Sequence, residues 1–146
     1  MATFSRRAEL EWEGELMTGN GDVRGGTGAF AVPVRFPSVA GDPPGKTTPE
    51  ELLAASHAAC YGIGLRSLIS RKGGRAQRIR VEAAITADKG AEGIRIQSSH
   101  LACRIEGLEQ IDSADLENIA REVAESCTIS VAIRESVRIT HDVRAV

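Results

Sequence analysis

The sequence predicts an α+β fold in which buried hydrophobic helices pack against antiparallel sheet. Residues 8–12 alternate apolar and acidic side chains, as a half-buried strand does, and residues 78–105 return to this alternation around a central turn. Between them, residues 49–72 form one long apolar segment with helix-start signals. The chain has 146 residues, so we expect a single domain over residues 1–146.

The N-terminal part is predicted to form a small antiparallel sheet. A Gly-Asn-Gly-Asp turn at 19–22 follows the strand at 8–12 and leads into strand-like pieces at 22–24 and 29–35. Residues 36–48 then hold three prolines and two glycines, which predicts a loop. Functional residues are often found beside loops of this length.

The long helix has a well-defined start. Thr48 is the predicted N-cap, Pro49 takes the first helical position, and Glu51 completes a capping box. We expect the helix to run to about Lys72, where a Gly-Gly pair ends it. Residues 52–65 are apolar or small on every face, so the helix should be buried all round.

The second half of the chain adds a hairpin, a helix and a strand. The hairpin consists of strands at 78–88 and 94–105, and Asp112 or Ser113 caps an amphipathic helix. Residues 137–143 alternate again and predict a final strand. The predicted element order is therefore β-β-β-α-β-β-α-β.

Composition excludes several classes of protein. Lys plus Arg is 18 against 20 for Asp plus Glu, a net charge of −2, so nothing favours binding to a phosphate backbone, and we expect no nucleic acid partner. No apolar run approaches the roughly 20 residues that span a bilayer, and residues 1–15 lack the apolar core of an export signal. We therefore expect a cytoplasmic protein without a membrane partner. Aromatic residues are only 3%, so the core must pack backbones closely or be shared with a second chain.

Three cysteines are an odd set for a cytoplasmic chain, which favours catalytic over structural sulfur chemistry. Cys60 lies too far along the long helix for the helix N-terminus to lower its pKa, so a thiolate there needs a cation. Arg35 is the better candidate, because Arg66 faces the opposite side of the helix. Cys127 ends the second helix and could meet Cys60, so that a sulfenic acid on one condenses with the other. Cys103 has the pattern of an ordinary core residue.

A metal site is the main alternative use of these thiols. The spacing His57-x-x-Cys60 puts two ligands on one helix face, and His100-x-x-Cys103 repeats it. The second pair lies in a strand, where an odd separation sends the side chains to opposite faces. A four-ligand metal site would need two ligands beyond either pair, and Cys127 supplies only one of them. We therefore expect no metal, and a packed, hydrogen-bonded His57. The glycine clusters lack the G-x-G-x-x-G spacing, so no bound cofactor is expected either.

The segment Thr48-Pro-Glu-Glu-Leu-Leu-Ala-Ala-Ser-His-Ala-Ala-Cys60-Tyr resembles the signature of the OsmC/Ohr family, named for osmotically inducible protein C and organic hydroperoxide resistance protein. Val34-Arg35-Phe36 resembles its arginine segment, Glu-Ser-Cys127-Thr-Ile-Ser its second-cysteine segment, and Trp12-Glu-Gly14 its first strand. The resemblance covers nearly the whole chain. Trp12-Glu-Gly14 and His57 resemble the OsmC branch more than the Ohr branch.

The resemblance implies an OsmC-like fold and a thiol-dependent peroxidase that prefers organic hydroperoxides. It also implies an intertwined homodimer with two active sites at the subunit interface and an external dithiol reductant, lipoyl-type in the Ohr branch. Cys60 would be the peroxidatic thiolate and Cys127 the resolving thiol. Arg35 would lower the pKa of Cys60 and orient the peroxide, and Glu50 would hold Arg35. The chain departs from the family at Thr128, where a proline is frequent.

Helix geometry adds a hypothesis about the dimer. Glu50 and Cys60 are ten residues apart, which is about 15 Å along one helix and too far for a Glu side chain to span. We therefore expect a composite site, with Cys60 and Cys127 from one chain and Arg35 and Glu50 from the other. The alternative function is a non-enzymatic redox sensor or binding protein that uses the same cysteine pair as a switch.

Overall fold

Three helices and two three-stranded sheets make up the α+β architecture that the sequence predicts. The computed structural model describes residues 1–146, which divide into two units, Met1–Leu52 and Leu53–Val146. The division falls inside the first helix, and the single domain over residues 1–146 stays a prediction. The elements are β1 (Ala8–Glu13), β2 (Asn20–Gly25), β3 (Ala31–Val34), α1 (Pro49–Arg71), β4 (Arg78–Gly90), β5 (Gly93–Glu106), α2 (Ser113–Ser126), α3 (Thr128–Ile133) and β6 (Arg138–Ala145).

The N-terminal unit contains the predicted antiparallel sheet, in the order β1-β2-β3. Trp12 pairs with Gly21 across β1 and β2, and its ring lies where a side chain at Gly21 would stand. The only Trp of the chain thus packs against the backbone of a glycine. Residues 36–48 form the predicted loop, which rejoins β3 through a bridge between Val34 and Thr47.

The start of α1 follows the prediction in one half of its capping box. The backbone N–H of Glu51 donates to Thr48 Oγ1 at 3.4 Å, so Thr48 is the N-cap. The return contact is different, because Glu51 Oε1 accepts a hydrogen bond from Thr47 Oγ1 at 2.6 Å. Glu51 therefore ties the loop to the helix instead of capping the Thr48 N–H, and the prediction of a full capping box was wrong.

The end of α1 is a Schellman motif. Gly73 has φ +81°, its N–H donates to the Ser70 carbonyl at 3.0 Å, and the Gly74 N–H donates to the Ile69 carbonyl at 2.9 Å. Glycine is favoured in this left-handed conformation because it has no Cβ. The helix thus ends at the predicted Gly-Gly pair.

Only one face of α1 is buried within the chain, which corrects the expectation of burial all round. Its buried side chains are His57, Tyr61, Leu65, Leu68 and Ile69. On another face Ile63 is 70% exposed. A second chain is one way to cover an apolar face of this kind.

The helix α1 is also long and apolar enough, by length and composition, to cross a membrane, with a mean hydropathy of 1.2. This finding corrects the statement that no segment of the chain approaches that length. Core helices of water-soluble proteins pass the same test. The buried face of α1 fits a core helix, because His57 forms hydrogen bonds with Ser99 of β5 and Ser130 of α3.

The C-terminal unit contains the long hairpin and one unexpected strand pairing. The strands β4 and β5 pair antiparallel from Arg78↔Glu106 to Gly90↔Gly93, with a register shift between Thr86 and Ala87. The strand β6 lies on the other side of β5 and is parallel to it. The expectation of a purely antiparallel sheet was therefore wrong. The helices α2 and α3 form the crossover that a parallel connection needs.

Two helices, not one, connect β5 to β6. The predicted cap of α2 is confirmed at Asp112, whose Oδ1 accepts the N–H of Asp115 at 2.8 Å. Cys127 ends α2, as predicted, and at the same time begins α3. The short helix α3 was not predicted. Its sequence Thr-Ile-Ser-Val-Ala-Ile is rich in β-branched residues, which lowers helix propensity.

The core lies between the buried face of α1, the inward face of β5 and α2. Among Phe, Tyr and Trp it contains only Tyr61, whose hydroxyl donates to the Ala120 carbonyl at 2.9 Å. Gly64 of α1 lies so close to α2 that a Cβ there would stand 2.7 Å from Val123 Cγ1. The close backbone approach expected from the low aromatic content is thus present. The core members are Tyr61, Leu65, Leu68, Ile69, Leu101, Cys103, Ile105, Leu116, Ile119, Val123 and Cys127.

Candidate active site

The fold brings Cys60 and Cys127 together. Cys60 lies on α1 and is half-buried, and Cys127 is buried at the junction of α2 and α3. Each cysteine affects the pKa of the other, so the two thiols are neighbours, and neither cysteine is in a disulfide. The fold therefore brings two thiols from distant parts of the sequence into one neighbourhood, which is the arrangement that condensation of a thiol with a sulfenic acid needs.

The surroundings of the two sulfurs favour ionisation of Cys127 over Cys60. Burial raises the pKa of Cys60, and the neighbouring Cys127 raises it further, against a smaller opposing effect of the Ile129 and Thr128 N–H groups. Burial also acts to raise the pKa of Cys127. There, however, the Ser130 hydroxyl, Cys60 and the N–H groups at the start of α3 outweigh burial, so the pKa of Cys127 lies below its ordinary value. The Cys127 side chain makes no cap hydrogen bond of ordinary geometry with α3.

A line of buried polar side chains ends at Ser130, three residues beyond Cys127. His57 is fully buried and uses both ring nitrogens: Nδ1 lies 2.7 Å from Ser99 Oγ, and Nε2 lies 2.7 Å from Ser130 Oγ. The prediction that His57 is a packed, hydrogen-bonded residue is confirmed. Burial lowers the pKa of His57, so the ring is neutral.

Sequence reasoning missed the two serines. One signal for Ser99 was available, because Ser99 shares the inward face of β5 with Leu101, Cys103 and Ile105, where a polar residue needs a partner. Ser130 lies in the second-cysteine segment, three residues beyond Cys127, in the helix that was not predicted. Its role therefore depends on α3, and no pattern in the sequence pointed to it.

Arg35 and Glu50 both lie in the N-terminal unit, where they do not form an ion pair with each other. Arg35 Nε donates to the Phe36 carbonyl at 3.1 Å and lies 3.6 Å from Asp42 Oδ1. Glu50 lies in the first turn of α1, and its Oε2 is buried without a hydrogen-bond partner in the chain. The Asp42 contact was not foreseen. The role of Glu50 as the carboxylate that holds Arg35 stays a prediction.

The remaining candidate ligands do not gather into a metal centre. Cys103 faces the core, while His100 on the opposite face of β5 contacts Thr140 Oγ1 at 2.7 Å. Burial, together with the nearby Asp142, raises the pKa of Cys103 to about 12. His57 is already held by its two serines. No group of three or more His, Cys, Asp and Glu side chains is arranged to hold a metal ion.

Comparison with known proteins supports the family resemblance of the cysteine segments. Residues 41–142, which include Glu50, Cys60 and Cys127, match the family described as OsmC-like protein. The chain belongs to the OsmC-like family. One relative, peroxiredoxin OsmC of Escherichia coli (strain K12), is 24% identical over 148 aligned residues, covering 98% of this chain and 99% of the relative.

Solved structures confirm the fold of this OsmC-like protein. An organic hydroperoxide resistance protein OsmC from Legionella pneumophila superposes with a TM-score of 0.77 at 21% identity, covering 98% of both chains. An organic hydroperoxide resistance protein from Elizabethkingia anophelis gives a TM-score of 0.79 at 21% identity, covering 100% of both chains. At this identity the similarity establishes the architecture.

Proposed function

We propose that this OsmC-like protein is a thiol-dependent peroxidase that reduces organic hydroperoxides through Cys60 and Cys127. The observation that carries the proposal is that these two cysteines, which lie on different helices, are neighbours in the fold and are not bonded to each other. The names of its relatives, a peroxiredoxin and two organic hydroperoxide resistance proteins, point to the same chemistry.

The proposed cycle uses both sulfurs in turn. The Cys60 thiolate attacks the terminal oxygen of the hydroperoxide, the O–O bond breaks, and an alkoxide leaves and takes a proton to become the alcohol. Cys60 is then a sulfenic acid. The Cys127 thiolate attacks the Cys60 sulfur, an S–S bond forms, and hydroxide leaves and becomes water. An external dithiol returns the disulfide to two thiols by exchange, supplying two electrons.

The ionisation of the pair supports a site completed by a second copy of the chain. Because burial and Cys127 both raise the pKa of Cys60, the chain by itself does not favour the thiolate that must attack the peroxide. A cation beside Cys60 would reverse this, and Arg35 from the partner of a homodimer is our candidate. The unpaired Oε2 of Glu50 is a ready acceptor for that guanidinium.

The proposed partners follow from this cycle. They are a hydroperoxide, a dithiol reductant of which lipoyl-type thiols are one class, and a second copy of the chain. No bound cofactor takes part, because both electrons pass through sulfur. We propose a cytoplasmic location, where reducing conditions keep the two cysteines as thiols between cycles.

The proposal is tested by steady-state reduction of cumene hydroperoxide and hydrogen peroxide with a dithiol reductant. We expect turnover by the wild type, with the organic peroxide preferred, and none by Cys60→Ser. Cys103→Ser is the matched control and should retain turnover, since Cys103 is buried in the core and its pKa, raised to about 12, keeps it a neutral thiol. A protein that is oxidised once and does not cycle in excess reductant would instead be a redox sensor.

A further inference from the structure

Three buried polar side chains of the C-terminal unit do not react in the proposed cycle. His57 and Ser99 are 0% exposed and Ser130 is 1% exposed. They form one continuous line, with 2.7 Å from Ser99 Oγ to His57 Nδ1 and 2.7 Å from His57 Nε2 to Ser130 Oγ. Polar groups this deep in a core destabilise the fold unless they are paired, so their arrangement needs a reason beyond packing.

The line ends at a reacting sulfur. Cys127 is the N-cap of the short helix α3 and Ser130 lies three residues further along it, and among the surrounding groups the Ser130 hydroxyl most favours the ionised form of Cys127. A serine hydroxyl has one proton and can donate only one hydrogen bond at a time. Whether Ser130 donates to Cys127 or to His57 therefore depends on whether His57 Nε2 carries a proton.

The tautomer of neutral His57 decides which acceptor the Ser130 hydroxyl has. It has one ring N–H and one acceptor nitrogen. If Ser99 Oγ donates to Nδ1, then Nε2–H must donate to Ser130 Oγ, and the Ser130 proton is free to point at the Cys127 sulfur. In this direction every donor along the line has an acceptor, and the line ends at a thiolate.

We propose that His57 is a positioning residue for the resolving thiol, because it donates to Ser130 Oγ from Nε2 and thereby directs the Ser130 hydroxyl toward Cys127. The inference rests on the proposed function, in which Cys127 attacks the oxidised Cys60. No proton needs to move along the line during the reaction. Its effect is to keep Cys127 ionised and aimed when the Cys60 sulfenic acid forms.

Two substitutions at His57 separate positioning from packing. The amide of a Gln side chain extends about as far from the backbone as Nε2 of histidine, so His57→Gln can still donate to Ser130. The amide of Asn extends only about as far as Nδ1, so His57→Asn can reach Ser99 but not Ser130. Both variants remove the ring from the core, which makes them matched controls for packing.

The ionisation of Cys127 can be measured without any peroxide, in a Cys60→Ser background. Iodoacetamide alkylation of Cys127 is followed across pH by peptide mass spectrometry. Tyr61, the other titratable group that Cys127 influences, stays protonated because burial raises its pKa above the ordinary 10.0. We expect Ser130→Ala and His57→Asn to shift the midpoint upward by about one pH unit, a tenfold loss of thiolate at neutral pH, and His57→Gln to shift it much less.

The same variants with Cys60 restored report on the reaction step. After one equivalent of cumene hydroperoxide, Ser130→Ala and His57→Asn should form the Cys60–Cys127 disulfide about tenfold more slowly, so that a dimedone trap captures more sulfenic acid on Cys60. A midpoint unchanged in Ser130→Ala, or shifted equally by Asn and Gln at His57, would overturn the positioning role. If the wild type shows no turnover while the midpoints shift as expected, the proposed function fails and the effect of His57 on Cys127 stands.

Discussion

The three cysteines of the chain differ in reactivity because their side chains meet different surroundings. Burial and the nearby Asp142 raise the pKa of Cys103 to about 12, while hydrogen-bond donors hold the pKa of Cys127 below its ordinary value. We expect iodoacetamide at about pH 8 to label Cys103 in the native protein at least about a hundredfold more slowly than Cys127. Peptide mass spectrometry over a time course measures both rates.

Unfolding the protein in urea provides the control for this labelling. In the unfolded chain all three thiols are solvated, so their rates should fall within a few-fold of one another. Equal labelling of Cys103 and Cys127 in the native protein would contradict the assignment of Cys103 to the core.

His57 also makes the stability of the protein depend on pH. Its native pKa lies below the ordinary 6.5 because burial disfavours the charged ring. Below pH 6.5 the unfolded chain therefore binds a proton that the native protein does not, and the free energy of unfolding falls as pH falls, by at most about 1.4 kcal/mol per pH unit. Above pH 6.5 both states are neutral, and the effect disappears.

Urea denaturation at about pH 7.5, 6.5 and 5.5, at one protein concentration, measures this dependence. His57→Gln should flatten the fall in the free energy of unfolding between the two lower pH values. His100→Gln removes an exposed histidine and should leave the fall unchanged. An identical slope in wild type and His57→Gln would mean that His57 titrates normally in the native protein.

At the scale of elements, two glycines two residues apart on α1 should respond in opposite directions to the same substitution. A Cβ at Gly64 would stand 2.7 Å from Val123 Cγ1, and Val123 is buried and stiff at χ1. A Cβ at Gly62 would stand 3.3 Å from Val81 Cγ2, which small adjustments can relieve. We expect Gly64→Ala to destabilise the protein by about 1–3 kcal/mol, and Gly62→Ala to be neutral or stabilising by up to about 1 kcal/mol.

Chemical denaturation of both variants measures the difference. The double variant Gly64→Ala with Val123→Ala tests its cause, because removal of the valine methyls makes room for the new Cβ. The double variant should be less destabilised than the sum of the two single variants. Additive losses would show that the two helices do not touch at this point.

Two features of the C-terminal unit were not predicted from the sequence, the parallel direction of β6 and the helix α3. The sequence placed β5, α2 and β6 correctly, but the direction of β6 depends on the crossover between them, and periodicity does not report strand direction. The six residues of α3 have strand-like composition and become helical only in the tertiary structure. This short helix is what turns Ser130 toward both His57 and Cys127.

At the scale of the whole molecule, the proposed composite site makes a sharp prediction for mixed dimers. Cys60→Ser and Arg35→Ala should each abolish turnover alone. In a mixed dimer, the intact Cys60 of one chain meets the intact Arg35 of the other, so one of two sites is restored. Random assortment of the two variants should therefore recover about a quarter of wild-type activity.

The two variants can be coexpressed with different affinity tags, which allows the mixed dimer to be purified. Mixing Cys60→Ser with Cys127→Ser is the matched control, because the proposal places these two residues in the same chain, and no complete site can form. No recovery with the Arg35 pair would place Arg35 and Cys60 in one chain, and recovery in the control would place Cys60 and Cys127 of one site in different chains. A monomer with full activity would contradict the composite site altogether.

The sequence by itself determined the approximate positions of all elements except α3, the α+β class, the core position of Cys103 and the family, because these depend on local signals. Alternation marked the strands, Thr48 and the Gly-Gly pair marked α1, and the segment around Cys60 carried the family resemblance. The sequence also indicated that Cys60 and Cys127 could form a pair, because both lie on predicted buried helices.

Only the tertiary structure decided which groups surround the two sulfurs. The contact between Cys60 and Cys127 spans 67 residues of sequence, and the line through His57 joins residues 42 and 73 positions apart. Such contacts depend on how α1, β5 and α3 pack, and burial there changes the pKa of every thiol and of the histidine. Local patterns cannot encode these shifts, because desolvation and hydrogen bonding are properties of the packed neighbourhood and not of the residue type.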